Sequence, residues 1–138
     1  YATSSAVYGE LPAGDDETTN VMLDSPYAAD KYMIEKYTAI AHSLYNISSI
    51  GLRFFNVYGP RQDPKNPYSG VISIFVDRVL AGLPVIINGG YQTRDFIFVK
   101  DIVKILIDLT LWTRNSVNSL EVINTKIPSS IFILSYMT

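Results

Sequence analysis

Scarce residue types and patterns exclude several classes of protein for this chain of 138 residues. There is no cysteine, so the chain forms no disulfide bonds and no thiolate metal sites, and we expect no metal centre. The formal net charge is only −2, which gives no electrostatic reason to expect nucleic acid or an anionic membrane surface as a partner. No uninterrupted apolar run is long enough to span a bilayer. Because 48% of the residues are hydrophobic and only 17% are charged, the chain can instead bury the core of one globular domain.

Short apolar runs alternate with helix-like repeats along the chain. Strands are predicted at 1–3, 50–57, 85–87 and 96–99, and helices at 26–45, 71–81 and 101–112. Ser25 is the predicted N-cap of the first helix and Pro26 its first residue. Along this helix, apolar residues recur every three or four positions and form one stripe: Met33, Ile34, Tyr37, Ile40, Ala41 and Leu44. Strands alternating with helices predict an α/β protein with a mainly parallel sheet, in which ligands bind at the carboxyl ends of the strands.

The first helix carries a tyrosine and a lysine four residues apart, Tyr27 and Lys31, which share one face. A tyrosine is a poor base at neutral pH unless a nearby cation stabilises its phenolate form. A hydroxyl from Ser4, at a predicted strand end, could bridge the phenol and a substrate oxygen. A second pair, Tyr32 and Lys36, lies about 140° around the helix, so both pairs cannot serve one site. Tyr27 is the better candidate because it lies in the first turn, but spacing alone leaves open that it is a packed aromatic residue beside a solvated lysine.

Four motifs, taken in order, resemble the extended short-chain dehydrogenase/reductase family. They are Thr3–Glu10 (TSSAVYGE), Ser25–Lys31 (SPYAADK), Leu52–Arg61 (LRFFNVYGPR) and Thr93–Asp101 (TRDFIFVKD). The NAD-dependent epimerase/dehydratase branch is the most similar part of that family, above all its nucleotide-sugar epimerases of the UDP-glucose 4-epimerase type. The resemblance covers residues 1–112. It implies an α/β fold that consists of the C-terminal part of a Rossmann-like doubly wound parallel sheet and part of a small substrate-binding region.

The resemblance implies catalytic and cofactor-binding roles at four positions. Tyr27 matches the family's catalytic base, and Lys31 matches the lysine that activates this base and holds the nicotinamide ribose of NAD. Ser4, rather than Ser5, matches the catalytic serine or threonine. Phe55 matches a residue that lines the nicotinamide site, although an aromatic residue in a strand is as often ordinary core. The implied cofactor is NAD.

The resemblance also implies substrate-binding roles, at Ser4 and at four later positions. Asn56 and Arg94 match residues that contact the diphosphate of a nucleotide sugar. Gly70 and Val71 match backbone positions near the same ligand. For Arg94 the alternative is a surface ion pair with a nearby aspartate.

The implied reaction is the oxidation and re-reduction of a sugar by one bound NAD, through a keto-sugar that turns over in the site. Related dehydratases and sugar-acid decarboxylases carry a catalytic carboxylate just after the catalytic serine or threonine. Here those positions are Ser5 and Ala6, neither of which performs acid–base chemistry at neutral pH. This difference favours an epimerase, and the closeness of the resemblance implies a UDP-hexose 4-epimerase. A dehydratase with relocated acid groups, a reductase and a non-catalytic remnant or interaction module remain alternatives. The family further implies a cytoplasmic homodimer that acts on a nucleotide sugar.

Both ends of the chain depart from the family pattern. The Gly-x-x-Gly-x-x-Gly fingerprint that binds the NAD pyrophosphate is not in the sequence, and we expect it upstream of Tyr1. Residues 1–112 are therefore predicted to be a partial epimerase/dehydratase domain, and residues 113–138 a divergent or truncated tail. In that tail 122–124 is similar to a family strand, but 126–128 replaces the glycine expected soon after it. We expect the fragment by itself to be inactive.

Overall fold

The computed structural model describes residues 1–10, 21–66, 68–115 and 131–136. In chain order its elements are the strand β1 (Ala2–Ser4), a 3₁₀ helix (Ser5–Tyr8), the helix α1 (Pro26–Tyr45), the strands β2 (Ser49–Phe54) and β3 (Asn56–Tyr58), the helix α2 (Val71–Leu80), the strand β4 (Phe96–Phe98), the helix α3 (Val99–Asn115) and the strand β5 (Ile131–Tyr136). The chain divides into two compact units, of which the first is Tyr1–Phe55 with Pro128–Thr138 and the second is Asn56–Ile127. The features predicted at 122–124 and 126–128 lie outside the described residues.

In the described part of the first unit, one sheet has the strand order β1–β2–β5. β1 pairs with β2 in parallel, with Thr3 opposite Arg53, and α1 connects the two strands as the predicted α/β architecture requires. β5 pairs with β2 in the antiparallel sense, with Ile133 opposite Leu52. The predicted α/β class is confirmed, and the sheet is mixed because β5, which was not predicted, occupies the other side of β2.

Local hydrogen bonds explain both ends of α1. Ser25 has an extended backbone, and its Oγ accepts a hydrogen bond from the Ala28 N–H at 3.2 Å. Pro26 follows as the first helical residue, where its missing N–H costs nothing. At the other end Asn46 adopts the left-handed conformation, with φ of 54°, and its N–H donates to the His42 oxygen at 2.9 Å. The predicted start and end of this helix are confirmed.

The face that α1 buries differs from its apolar stripe. The buried residues of the helix are Ala28 and Glu35. Four residues of the stripe are largely exposed: Met33 by 48%, Tyr37 by 65%, Ile40 by 50% and Leu44 by 66%. Periodicity identifies a helix, but it does not identify which side meets the sheet, because the same repeat suits a core or a partner.

The single strand predicted at 50–57 is two strands that belong to different sheets. β2 ends at Phe54, Phe55 intervenes, and β3 begins at Asn56. β3 pairs in parallel with β4, with Val57 opposite Ile97. A continuous apolar run does not indicate which strands it pairs with, so the change of partner at Phe55 is not visible in the hydrophobic pattern.

The strand predicted at 85–87 is wrong, since this segment pairs with no strand in the described part of the chain. Ile86 and Ile87 are 63% and 68% exposed. A strand needs a neighbour to satisfy its backbone N–H and C=O groups, and an apolar sequence does not supply one. The turn predicted after it is present, with positive φ angles of 77° at Gly89 and 75° at Gly90, which glycine adopts without strain.

The second unit is held by apolar residues of β4 and α3. Ile97, Ile102 and Leu109 are 3%, 6% and 7% exposed. Helices predicted at 71–81 and 101–112 are confirmed as α2 and α3, and α3 begins two residues earlier than predicted. Within the described ranges, no helix combines the length and apolar character needed to cross a membrane.

Candidate active site

β1 ends at Ser4, the first of the predicted catalytic residues. Its backbone is extended, and its Oγ accepts a hydrogen bond from the Ala6 N–H at 3.2 Å, which caps the 3₁₀ helix that follows. A serine hydroxyl that accepts a hydrogen bond keeps its own hydrogen, so the same oxygen can also donate to a ligand. The cap therefore holds the Ser4 hydroxyl in place at the carboxyl end of the strand, where a ligand of a parallel sheet binds.

Tyr27 and Lys31 lie one turn apart at the start of α1. The Lys31 Nζ is 5.7 Å from the centroid of the Tyr27 ring. The Tyr27 side chain is 56% exposed, so it is accessible to a ligand. An ammonium group at this distance makes a cation–π contact with the face of the ring. The predicted pair therefore forms, and its catalytic role stays a prediction.

The competing pair, Tyr32 and Lys36, also forms. The Lys36 Nζ is 4.6 Å from the centroid of the Tyr32 ring, which is shorter than the Lys31–Tyr27 distance. Proximity of a cation therefore does not distinguish the two tyrosines. The choice of Tyr27 depends on its place in the first turn of α1 and on its motif, and it remains a prediction.

Phe55 lies between β2 and β3 and packs on Tyr8, a residue of the first motif to which the sequence analysis gave no role. Its ring stacks on that of Tyr8, with centroids 6.5 Å apart and planes inclined by 29°. Tyr8 itself is only 2% exposed. Phe55 as a whole is partly buried and partly exposed. This placement is compatible with core packing and with a cofactor contact.

Asn56 and Arg94 lie beside the same residue, Asp95. The Asn56 backbone N–H donates to the Asp95 carbonyl oxygen at 3.1 Å, and the Asn56 Nδ2 donates to the same oxygen at 2.9 Å. Arg94 is exposed, and its Nη1 donates to the Thr93 carbonyl oxygen at 2.8 Å. Among the described residues no ion pair joins Arg94 to Asp95 or to Asp101. The two residues predicted to bind a diphosphate thus both lie at the start of the β3–β4 pair.

Gly70 and Val71 form the start of α2. Gly70 is the N-cap, with an extended backbone, and a Cβ at this position would come 3.3 Å from the Gln62 Nε2. Its carbonyl oxygen accepts a hydrogen bond from the Ser73 Oγ at 2.8 Å. No side chain of the described residues caps this helix start, so its first N–H groups can meet an anionic ligand. The structure therefore gives both residues a position compatible with backbone contacts to a phosphate.

The first unit contains a buried polar cluster that the sequence analysis did not predict. Its residues lie on β1, α1 and β2. We call Thr3, Glu35 and Arg53 the buried network; each is 3% exposed. The Glu35 carboxylate accepts hydrogen bonds from the Arg53 Nε at 2.9 Å and Nη2 at 2.6 Å. The Thr3 Oγ1 lies 2.8 Å from the Glu35 Oε1 and 3.3 Å from the Lys31 carbonyl oxygen. Two features of the sequence could have predicted this network: Arg53 lies inside an apolar strand, and Glu35 follows Lys31 by four residues.

The charge of Arg53 is retained despite its burial. Burial by itself lowers the pKa of this guanidinium, but the interactions with Glu35 and with Tyr8 outweigh burial and raise the pKa above its ordinary value. The guanidinium also lies over the Tyr8 ring, 4.9 Å from its centroid. Because the pKa is raised, the stability that this cation contributes is present at all pH values below the ordinary arginine range.

Each unit carries one group of the predicted site residues. The first unit contains Ser4, Tyr27, Lys31 and Phe55, and the second contains Asn56, Gly70, Val71 and Arg94. In the described ranges no group of three or more His, Cys, Asp or Glu residues could hold a metal ion. The ammonium of Lys31 and the accessible phenol of Tyr27 fit the ribose hydroxyls of a nicotinamide nucleotide, because both side chains can donate hydrogen bonds to them.

Comparison with known proteins reveals clear relatives. The NAD dependent epimerase/dehydratase family matches residues 1–124. A UDP-glucose 4-epimerase of Mycolicibacterium smegmatis is 41% identical over 104 residues, which are 74% of this chain and 33% of that protein. The structure of UDP-N-acetylglucosamine 4-epimerase from Methanobrevibacter ruminantium, in complex with UDP-N-acetylmuramic acid, has a TM-score of 0.72 and 47% identity, and the match covers 78% of this chain and 35% of that one.

A second solved structure shows the same fold. UDP-glucose 4-epimerase from Thermus thermophilus, in complex with NAD, has a TM-score of 0.66 and 39% identity. The match covers 78% of this chain and 37% of that chain. The Rossmann-like α/β class predicted from the motifs is therefore confirmed. The chain spans only a third or slightly more of the length of each of these three relatives, at 33%, 35% and 37%.

Proposed function

This chain belongs to the NAD dependent epimerase/dehydratase family, and from that premise we propose that the whole protein is a nucleotide-sugar 4-epimerase acting on a UDP-hexose. The observation that carries the proposal is the position of Tyr27 and Lys31 at the start of α1, within the motif Ser25–Lys31, where Tyr27 is 56% exposed. Support comes from the relatives, which are named as UDP-sugar 4-epimerases.

The residues of the first unit suit the proton transfers of this reaction. NAD would supply the hydride chemistry when bound. Lys31 would hold the nicotinamide ribose and would stabilise negative charge on the phenol of Tyr27 as the proton leaves. Tyr27 takes the proton of the sugar hydroxyl and later returns it, while the Ser4 hydroxyl positions the same oxygen. Phe55 would line the nicotinamide site.

The positions after Ser4 favour epimerisation over elimination of water. Loss of water from a sugar needs a general acid and a general base, and in the related dehydratases a carboxyl group just after the catalytic serine or threonine fills this role. Ser5 and Ala6 occupy those positions, and the Ala6 N–H is already engaged with the Ser4 Oγ. Epimerisation needs no such group, because the same oxygen loses and regains its proton. The dehydratase alternative requires acid groups from elsewhere in the protein.

The second unit supplies groups that suit the diphosphate of the substrate. We assign Asn56 and Arg94 to its oxygens, since an amide and a guanidinium both donate hydrogen bonds to phosphate. Gly70 and Val71 contribute backbone N–H groups at the start of α2. A phosphate-binding role for Arg94 is compatible with its exposure and with its contact to the Thr93 carbonyl oxygen.

The exposed stripe of α1 supports a homodimer in which this helix meets a second copy. Tyr37 and Leu44 are 65% and 66% exposed, and exposed apolar rows of this kind mark contact surfaces. The same observation favours the second candidate function, a non-catalytic module that binds a partner through α1. Turnover distinguishes the two, because only the epimerase acts on nucleotide sugars.

The test is an assay of the full-length protein without added reductant. We expect interconversion of UDP-glucose and UDP-galactose, or of their N-acetyl forms. Chromatography of the nucleotide sugars measures this interconversion. Formation of a 4-keto-6-deoxy sugar would instead identify a dehydratase, and a requirement for added NADH or NADPH would identify a reductase. No turnover of any of these substrates by folded protein would contradict the epimerase proposal.

A further inference from the structure

The buried network links every element that carries a catalytic candidate of the first unit. Thr3 lies on β1 directly before Ser4, and its Oγ1 reaches the Glu35 carboxylate of α1 at 2.8 Å. Glu35 follows Lys31 by one helical turn. Arg53 lies opposite Thr3 in the parallel β1–β2 pair, so both side chains reach the same carboxylate. One buried anion is therefore tied to two strands and a helix at once.

A second branch of contacts runs from the network to Phe55. The Arg53 guanidinium lies 4.9 Å from the centroid of the Tyr8 ring. Tyr8 is 2% exposed, and its ring stacks on Phe55 at 6.5 Å. The side chain predicted to line the nicotinamide site thus packs on a ring that the network itself holds.

We propose that the buried network positions the active site, and this inference rests on the proposed function. The network fixes the position of α1 relative to β1. The Tyr27 and Lys31 side chains are thereby held in place relative to the Ser4 hydroxyl. None of the three network residues touches the reacting atoms in this proposal. They are positioning residues, which act through the helix and the strand end.

The geometry of the network suits this role better than a role in stability alone. A two-pronged guanidinium–carboxylate contact fixes orientation as well as distance, because both hydrogen bonds must be made together. A buried ion pair contributes little net stability compared with apolar residues of the same size, and its best-attested use is to specify register. The Thr3 hydroxyl has one hydrogen, and the shorter contact with the charged Glu35 oxygen takes it.

The sharpest test changes only the Thr3 hydroxyl in the full-length protein. Thr3→Val keeps the shape of the side chain and removes the hydrogen bond between β1 and α1. We expect kcat to fall on the order of tenfold, since small displacements of catalytic groups have effects of this size or larger. KM for the UDP-sugar should change less than about twofold, because the residues predicted to bind the diphosphate belong to the second unit. Thr3→Ser retains the hydroxyl and should restore kcat.

Two controls separate positioning from general destabilisation. Leu109→Ala weakens the core of the second unit, so it lowers the melting temperature while kcat per folded molecule stays the same. Glu35→Gln leaves Arg53 buried without its anion and should lower kcat further, and it is compared only where its circular dichroism matches that of the wild type. Thr3→Val and Thr3→Ser carry the conclusion, because neither buries a new charge.

The outcomes are distinguishable. Wild-type kcat in Thr3→Val would overturn the positioning role and leave the epimerase proposal intact. Equal loss in Thr3→Val and Thr3→Ser would also overturn it, since the hydroxyl would then be irrelevant. If Leu109→Ala lowered kcat as much as Thr3→Val at the same folded fraction, the loss of activity would follow from lower stability alone. That result would also overturn the positioning role. A wild-type protein without turnover would contradict the proposed function, and the positioning role would fall with it.

Discussion

In the described part of the chain both units bury apolar side chains, but only the first unit also buries polar and charged ones. The polar and charged residues that are buried in the described part of the chain, Thr3, Glu35 and Arg53, all belong to the first unit. Over the same described residues, the side chains that the second unit buries are apolar, as at Ile97 and Leu109. Hydrogen bonds are directional and set the relative position of the groups that they join, whereas apolar packing tolerates adjustment. The directional contacts thus lie where the proposed proton transfers need accurate placement.

The largest expected effect tests the chemistry of the first unit. Tyr27→Phe in the full-length protein should lower kcat by about 10²–10⁴-fold, since it removes the proposed base and leaves the ring in place. Tyr32→Phe is the matched control on the same helix and should leave kcat near the wild-type value. The measurement is steady-state epimerisation of a UDP-sugar. Unchanged turnover in Tyr27→Phe would contradict the assignment of Tyr27 as the catalytic base.

The next effect separates the two lysines of α1. Lys31→Ala should lower kcat by about 10²–10³-fold, because it removes the cation that stabilises the charged phenol. Lys36→Ala removes the cation that lies 4.6 Å from the Tyr32 ring and should have little effect. The same assay compares both variants. Equal damage from the two substitutions would mean that the choice between the pairs is wrong.

A packing substitution in the second unit should affect stability and not chemistry. Leu109 is 7% exposed, so Leu109→Ala should lower the local stability of α3 by about 2–3 kcal/mol. Ile86→Ala is the control, because Ile86 is 63% exposed and buries little area. Hydrogen exchange of the α3 amides measures the difference. If kcat per folded molecule fell with Leu109→Ala, the contrast between the units would be lost.

The smallest effect concerns the cap of α1. Ser25→Ala removes the acceptor for the Ala28 N–H and should destabilise the helix start by about 1 kcal/mol. Ser25→Asp keeps an acceptor at the N-cap and should retain the stability. Exchange rates of the first-turn amides of α1 report the change. A Ser25→Ala protein with unaltered protection there would show that tertiary contacts, rather than the cap, hold this end of the helix.

Predictions that depend on neighbours in sequence were the accurate ones. Ser25, Pro26 and Asn46 place the ends of α1 because each acts on backbone groups within four residues. The spacing of Tyr27 and Lys31 correctly predicts their contact, for the same local reason. The roles of the site residues remain predictions, and the comparisons establish the family and the fold class.

The predictions that failed were ones that depended on distant partners. The strand predicted at 85–87 has no partner strand in the described residues, and the run at 50–57 changes partners at Phe55. Burial of Glu35 depends on Arg53, eighteen residues further along, and on Thr3, thirty-two residues earlier. By itself the sequence determined the two ends of α1, the Tyr27–Lys31 spacing and the family motifs, since each of these depends on residues close together in the chain. Only the tertiary structure decided which strands pair and which charges are buried together, because both depend on contacts between segments far apart in the chain.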